Sequence, residues 1–138
     1  MSWKEKMKEF GGADLGFLSE DGEVITFIVV GEPVLLEGKF KGSVSQKIGC
    51  PVVTADGFTL LVAGKRLARK ISKYEERFAD TVFMAIRHGE QDDVHTKYEL
   101  KTLDDSDLLL ELRNQVQSSE LPELIREAVS AAEDVMKG

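Results

Sequence analysis

Thr81-Val82-Phe83-Met84-Ala85-Ile86-Arg87-His88-Gly89, a polar turn, and then Val94-His95-Thr96-Lys97-Tyr98-Glu99-Leu100-Lys101 form the stretch whose reading decides the fold. Both arms are rich in β-branched and aromatic residues, and Asp92-Asp93 between them suits a turn, so the stretch predicts a β-hairpin. Side chains alternate across a strand. On the second arm Val94, Thr96, Tyr98 and Leu100 therefore share one face, with His95, Lys97 and Glu99 on the other. On the first arm Phe83 and Arg87 share a face, opposite Val82, Met84 and Ile86.

Upstream of the hairpin, Leu67, Ala68, Ile71, Tyr74 and Phe78 recur on one helical face, and Lys65, Arg66, Arg69, Lys70 and Lys73 occupy much of the rest. This predicts a basic amphipathic helix over 65–78. Earlier still, Val24 to Val30 is β-branched and nearly continuous, which predicts a central strand buried on both faces. Gly31-Glu32-Pro33 ends it. Val34 to Val44 alternates around Glu37, Lys39 and Lys41, with Leu36 and Phe40 opposite, and predicts a strand with one solvated face. In that strand Gly38 and Gly42 predict bulges or tight curvature. Cys50–Thr54 and Phe58–Val62 are two short arms around Ala55-Asp56-Gly57, a hairpin signal. Strands, one helix, then a final hairpin is the element order of a five-stranded OB-like barrel with a helix between strands 3 and 4.

After Thr102 the pattern turns helical. Leu108, Leu109, Leu112 and Val116 form one apolar stripe, and Leu121, Leu124, Ile125, Ala128, Ala132 and Val135 form another. Asp104, Asp105 and Asp107 suit a helix start, Ser118-Ser119 separates two segments, and Pro122 fits a first helical turn. The fold expected is mainly β with α: an arm over residues 1–16, the barrel over 17–102, and an acidic helical tail over 103–138. The tail's apolar stripes are too long to be left in water, which predicts docking on the barrel, a homodimer, or a protein partner.

The 138 residues suggest one domain with a real core, and 42% hydrophobic with 31% charged residues is a soluble composition. The longest apolar run is far too short to span a bilayer. The charged start, Met1-Ser2-Trp3-Lys4-Glu5-Lys6, has no apolar stretch of the secretory kind behind it, so the expected location is cytoplasmic, a host's cytoplasm if the protein is viral. The net charge of −7 is unevenly distributed. Residues 1–33 carry three basic and seven acidic side chains, 34–102 carry twelve and nine, and 103–138 carry three and nine. A mildly basic body between acidic ends is compatible with a DNA binder, and equally with acidic helices that keep a protein soluble.

Catalytic and metal motifs find no support. Gly57 to Lys65 ends in Gly-Lys, but its spacing is wrong for a phosphate loop and Arg66 stands where Ser or Thr is required. Asp92-Asp93 and Asp104-Asp105 sit where turns and caps want them. His88 and His95 flank a turn without enough further ligands for a designed metal site. The single cysteine, Cys50, excludes a disulfide framework and has no partner histidine in a nucleophile motif. The expectation is a protein that is not an enzyme and needs no cofactor or metal.

What remains is basic and aromatic. Lys39, Phe40 and Lys41 on one strand, and Arg87, Lys97, Tyr98 and Lys101 on the hairpin, offer phosphate-neutralising cations beside rings that can stack on bases. Phe40 and Phe83 are equally candidates for the core.

From about Phe17 to Thr102 the chain resembles single-stranded DNA-binding proteins of the phage and prophage type. The likeness rests on Leu18-Ser19-Glu20-Asp21-Gly22, the apolar strand ending in Gly31-Glu32-Pro33, the Pro51-Val52 strand, the basic helix, and above all Arg87-x-Gly89 leading to Thr96-x-Tyr98. The resemblance implies an OB-fold that sequesters single-stranded DNA during replication or recombination. It assigns DNA contact to Arg87 and Tyr98, and with them Lys97 and Lys39. The competing expectation is an interaction or assembly module acting through the acidic helices of 103–138, with the barrel as scaffold.

Overall fold

The computed structural model describes residues 15–16, 21–40, 43–89 and 96–137, with side chains described over 21–38, 46–89 and 96–134. It is a mixed β and α structure. The strands are β1 (Leu15–Gly16), β2 (Val24–Val29), β3 (Val34–Phe40), β4 (Ser43–Thr54), β5 (Gly57–Ala63), β6 (Val82–His88) and β7 (Lys97–Leu103). The helices are α1 (Lys65–Ser72) between β5 and β6, and α2 (Ser106–Arg113) and α3 (Leu121–Lys137) after β7. Short 3-10 turns cover Glu75–Asp80 and Ser118–Glu120.

Hydrogen bonding runs β1-β5-β4-β2-β6-β7, and β3 also pairs with β4. Six strands are antiparallel to their neighbours, while β1 lies parallel to β5. Among the described residues the path is open, with β1 at one end and β7 at the other.

β2 and β3 lie successively along the same partner. Ile28 and Val29 face Val53 and Val52, and then Val34 to Phe40 face Gly49 back to Ser43. Four residues, Val30 to Pro33, thus stand opposite only Cys50 and Pro51, so the chain bends there. The bend explains how a central strand tolerates Pro51. Val30 N–H donates to the Pro51 carbonyl at 2.9 Å. A strand residue points its N and O to the same side, so the N–H that proline lacks falls at the bend and not in the β4–β5 ladder.

Two boundaries differ from the sequence reading. The helix expected over 65–78 ends at Ser72, where a 3-10 turn over Glu75–Asp80 takes over and still brings Tyr74 and Phe78 to the core. The strand expected from Val34 is divided. The alternation from Val34 predicts a single strand through to Val44, but β3 ends at Phe40, β4 starts at Ser43, and the two pair with each other. Of the two glycines read as bulges, Gly38 pairs with Ser45 in an unbroken register and Gly42 lies outside the described residues, and Cys50–Thr54 is the end of a 12-residue strand. Period-two patterning is the same in both paired strands, so alternation alone does not reveal that the second runs back along the first.

The near-continuous apolar strands are buried on both faces because each face meets a different helix. Phe27, Val52, Leu61 and Phe83 point into an inner cluster that Leu67 and Ile71 of α1 cover. Their neighbours Ile28, Val53 and Val82 point outward onto Leu112 of α2. Leu36 and Leu60 point outward onto Ala128 and Ala132 of α3, where small residues permit close approach. Phe83 is fully buried against the rings of Phe27, Tyr74 and Phe78, with centroids 5.6 to 5.9 Å apart. It is a core residue, which settles one of the two phenylalanines that the sequence left open. Leu108, Leu109, Leu112 and Val116 of the first C-terminal stripe, and Ala128 and Ala132 of the second, likewise pack within the chain. Asp105 caps α2 by accepting from Leu108 N–H at 3.0 Å.

Candidate functional site

The sequence of α1, Lys65-Arg66-Leu67-Ala68-Arg69-Lys70-Ile71-Ser72, separates its two jobs by spacing. Leu67 and Ile71, four residues apart, enter the core. Arg66, Lys70 and Lys73 follow at four- and three-residue steps and form a cationic stripe along the next face. That stripe faces β7. Between them lies a groove of about 590 Å³, walled by Arg66, Lys70, Lys73 and Tyr74 on one side and by Thr96 to Leu100, with His88, on the other. A second lobe of about 490 Å³ joins it at Arg66 and Tyr98 and adds Gln46, Lys47, Gly64 and Lys65.

Polar contacts fix the walls. Lys70 Nζ donates to the Tyr98 carbonyl at 2.5 Å, tying α1 to the last strand of the sheet. Lys65 Nζ donates to Gln46 Oε1 at 2.6 Å, and Gln46 Nε2 donates to Glu37 Oε1 at 3.0 Å. The second lobe is thereby anchored to the base of the β3–β4 hairpin. Among the described residues, the only carboxylate lining the two lobes is Glu99. Lys101 Nζ lies 3.2 Å from it and His88 Nε2 3.6 Å. The hydrogen bond and charge of Lys101 are the main causes that hold its pKa below the usual glutamate value.

Lys97 and Tyr98, both expected from the sequence, line this groove. Arg87 stands opposite Tyr98 in the β6–β7 register but does not line the groove. Its Nε–H donates to the Gly89 carbonyl at 2.9 Å, one terminal nitrogen donates to the Tyr98 hydroxyl at 2.9 Å, and the other donates to Thr96 Oγ1 at 3.3 Å. Lys101 is outside the groove and engaged with Glu99. Lys39 and Phe40 belong to β3 by backbone, with side chains outside the described residues, and Lys41 lies outside them altogether, as does His95.

Sequence reasoning did not assign Lys47, Lys65, Arg66, Lys70, Lys73 or Tyr74 to the site. The four-three spacing of Arg66, Lys70 and Lys73 was the available signal, since it put three cations on one face of a helix already known to bury the adjoining face. The arrangement sets cationic side chains along a strip with a half-buried aromatic ring at its centre. Cys50 is buried and its thiol is pushed up to about 11 by desolvation, so it remains protonated at neutral pH. Among the described residues no group of three metal-binding side chains converges, and no helix is long and apolar enough to cross a membrane. No family model, curated protein or solved structure matches the chain.

Proposed function

We propose that this chain is a non-catalytic single-stranded DNA-binding protein of OB-like fold that holds the strand in the groove between α1 and β7. One observation carries the reading: Lys47, Lys65, Arg66, Lys70, Lys73 and Lys97 line two joined lobes around Tyr98, in a chain whose overall charge is −7. Against a negative background, that concentration of cations is a local feature suited to a polyanion. An aromatic ring in such a strip stacks on any base, so binding tolerates sequence. The order of elements supports the fold half of the reading. With β2 and β3 counted as one bent strand, five strands follow with α1 between the third and fourth, and four of them contribute to the inner cluster.

The alternative, an interaction module working through the acidic helices, has less behind it. Leu108, Leu109, Leu112 and Val116, with Ala128 and Ala132, pack against the sheet, and Leu110 is the exposed leucine on α2.

The test is fluorescence anisotropy with an end-labelled poly-dT oligonucleotide and a matched duplex at two salt concentrations. Preferential binding to the single strand, weakening with salt, is expected. Absence of binding at low salt, or equal affinity for duplex, would refute the proposal.

A further inference from the structure

Arg87 lies inward on β6, half-buried, in the midst of a tightly tied turn. Its backbone is bonded in both directions to the turn before β2: Gly22 N–H donates to the Arg87 carbonyl at 2.8 Å, and Arg87 N–H donates to the Glu23 carbonyl at 3.0 Å. Asp21 reaches across to accept from Gly89 N–H at 2.9 Å. Gly89 itself has φ +135°, and a Cβ there would lie 3.0 Å from Thr96 Cα. The base of the hairpin is therefore held in a backbone shape that glycine alone adopts without strain. Within it, the guanidinium donates to Gly89, Tyr98 and Thr96, and its carbon lies 5.8 Å from the centre of the Tyr98 ring.

A phosphate recognised by arginine takes two parallel donors from the planar fork. Here three of the five guanidinium N–H groups are engaged within the hairpin, by Gly89, the phenol of Tyr98 and the hydroxyl of Thr96, and Arg87 does not line the groove. To offer two parallel donors to a phosphate in the groove, the guanidinium would have to turn out of the hairpin and away from the ring that it holds. We infer that Arg87 is a positioning residue: it holds the Tyr98 ring in the groove wall and does not itself meet the phosphate backbone. This rests on the reading that the groove takes a single strand. It goes further in dividing labour: Tyr98 supplies stacking, Lys70, Lys73 and Lys97 supply charge, and Arg87 supplies geometry.

The salt dependence of oligonucleotide affinity separates these roles, because removing one cation that neutralises a phosphate of a single strand flattens the slope of log K against log[salt] by about 0.7. Poly-dT titrations from low to moderate salt would compare wild type with Arg87→Gln, Arg87→Lys, Tyr98→Phe and Lys70→Ala, each checked by a thermal melt. Losing a stacked base outright weakens binding about 5- to 150-fold, and a mis-set ring belongs at the lower end, near fivefold. Arg87→Gln and Arg87→Lys are both expected to show that loss with the wild-type slope, since lysine keeps the charge but not the three-way hold. Tyr98→Phe removes the held hydroxyl and is expected to do the same. A slope flattened by about 0.7 in Arg87→Gln and restored in Arg87→Lys would overturn the inference, as that is the signature of a cation on a phosphate. Unchanged affinity in either Arg87 variant would also overturn it. If Arg87→Gln does not fold, Tyr98→Phe decides: weaker binding supports positioning, whereas unchanged or tighter binding means the freed guanidinium was never needed to hold the ring. Lys70→Ala keeps the two claims distinguishable, because an unchanged slope in that variant counts against the groove itself.

Discussion

Removing cations from the α1–β7 groove should change how binding responds to salt by an amount that can be counted. Six side chains, Lys47, Lys65, Arg66, Lys70, Lys73 and Lys97, line its two lobes. If each neutralises one phosphate of a single strand, the slope of log K against log[salt] is about −4.2, at roughly −0.7 per phosphate. Raising salt from about 50 to about 200 mM would then weaken wild-type binding about 300-fold. The triple variant Lys70→Ala, Lys73→Ala, Lys97→Ala should halve the slope to about −2.1 and reduce that salt effect to roughly 20-fold. If the missing interaction is all counterion release, the two affinities converge near 1 M salt, and the variant is about 500-fold weaker at 50 mM but only about 30-fold weaker at 200 mM. Anisotropy titration with a labelled poly-dT oligonucleotide measures all four values. Arg126→Ala is the control for net charge, since Arg126 is exposed on α3 and paired with Glu123. It alters the net charge by one unit without touching the groove, so its slope should equal that of the wild type. A triple variant with an unchanged slope, or an Arg126→Ala slope flattened as much per charge, would refute the reasoning. Either result would mean that the anion feels the molecule's overall field and not this groove.

Two further outcomes test the frame that carries the groove. Cys50, whose thiol is pushed from 9.0 up to about 11 by burial, makes the protein lose stability as pH rises from 9 to 11, because the unfolded thiol ionises first. The loss should approach about 2–3 kcal/mol in urea melts, and Cys50→Ala should lack that dependence; an identical alkaline profile in both proteins would contradict the burial. Leu112→Ala empties a site, 1% exposed, between α2 and the outer face of β2, β4 and β6, and should cost about 2–5 kcal/mol by urea unfolding while leaving oligonucleotide affinity intact; a cost below about 1 kcal/mol would show that α2 is not docked as described.

Much of this was already present in the order of residues. Val24 to Val29 reads as a strand buried on both faces because its composition is almost wholly apolar, and Phe27 and Ile28 do enter separate clusters on its two sides, while Val24 at its start is exposed. The amphipathic spacing of α1 follows from Leu67 and Ile71, and Ala55-Asp56-Gly57 marks its hairpin, where Gly57 adopts φ +110°. These are local properties, set by a helical or strand period and by the conformational freedom of glycine. The antiparallel pairing of Val34–Phe40 with the strand that starts at Ser43 was not legible, because alternation is the same in both strands.

The site divides along the same line. Sequence alone identified Lys97 and Tyr98 as groove candidates and α1 as basic, since charge, ring and period are carried by the residues themselves. Only the tertiary structure decided that the stripe of Arg66, Lys70 and Lys73 lies across from Tyr98, about thirty residues away in the chain, with Lys70 bonded to its carbonyl. It also decided that Phe83 is core and that Arg87 points at its own hairpin. Which charges become neighbours depends on how the apolar faces pack, because burial of Leu67, Ile71 and Phe83 sets where α1 sits and every cation on it follows. The hydrophobic effect has no direction of its own, so the position of the groove emerges only when all the faces are packed together.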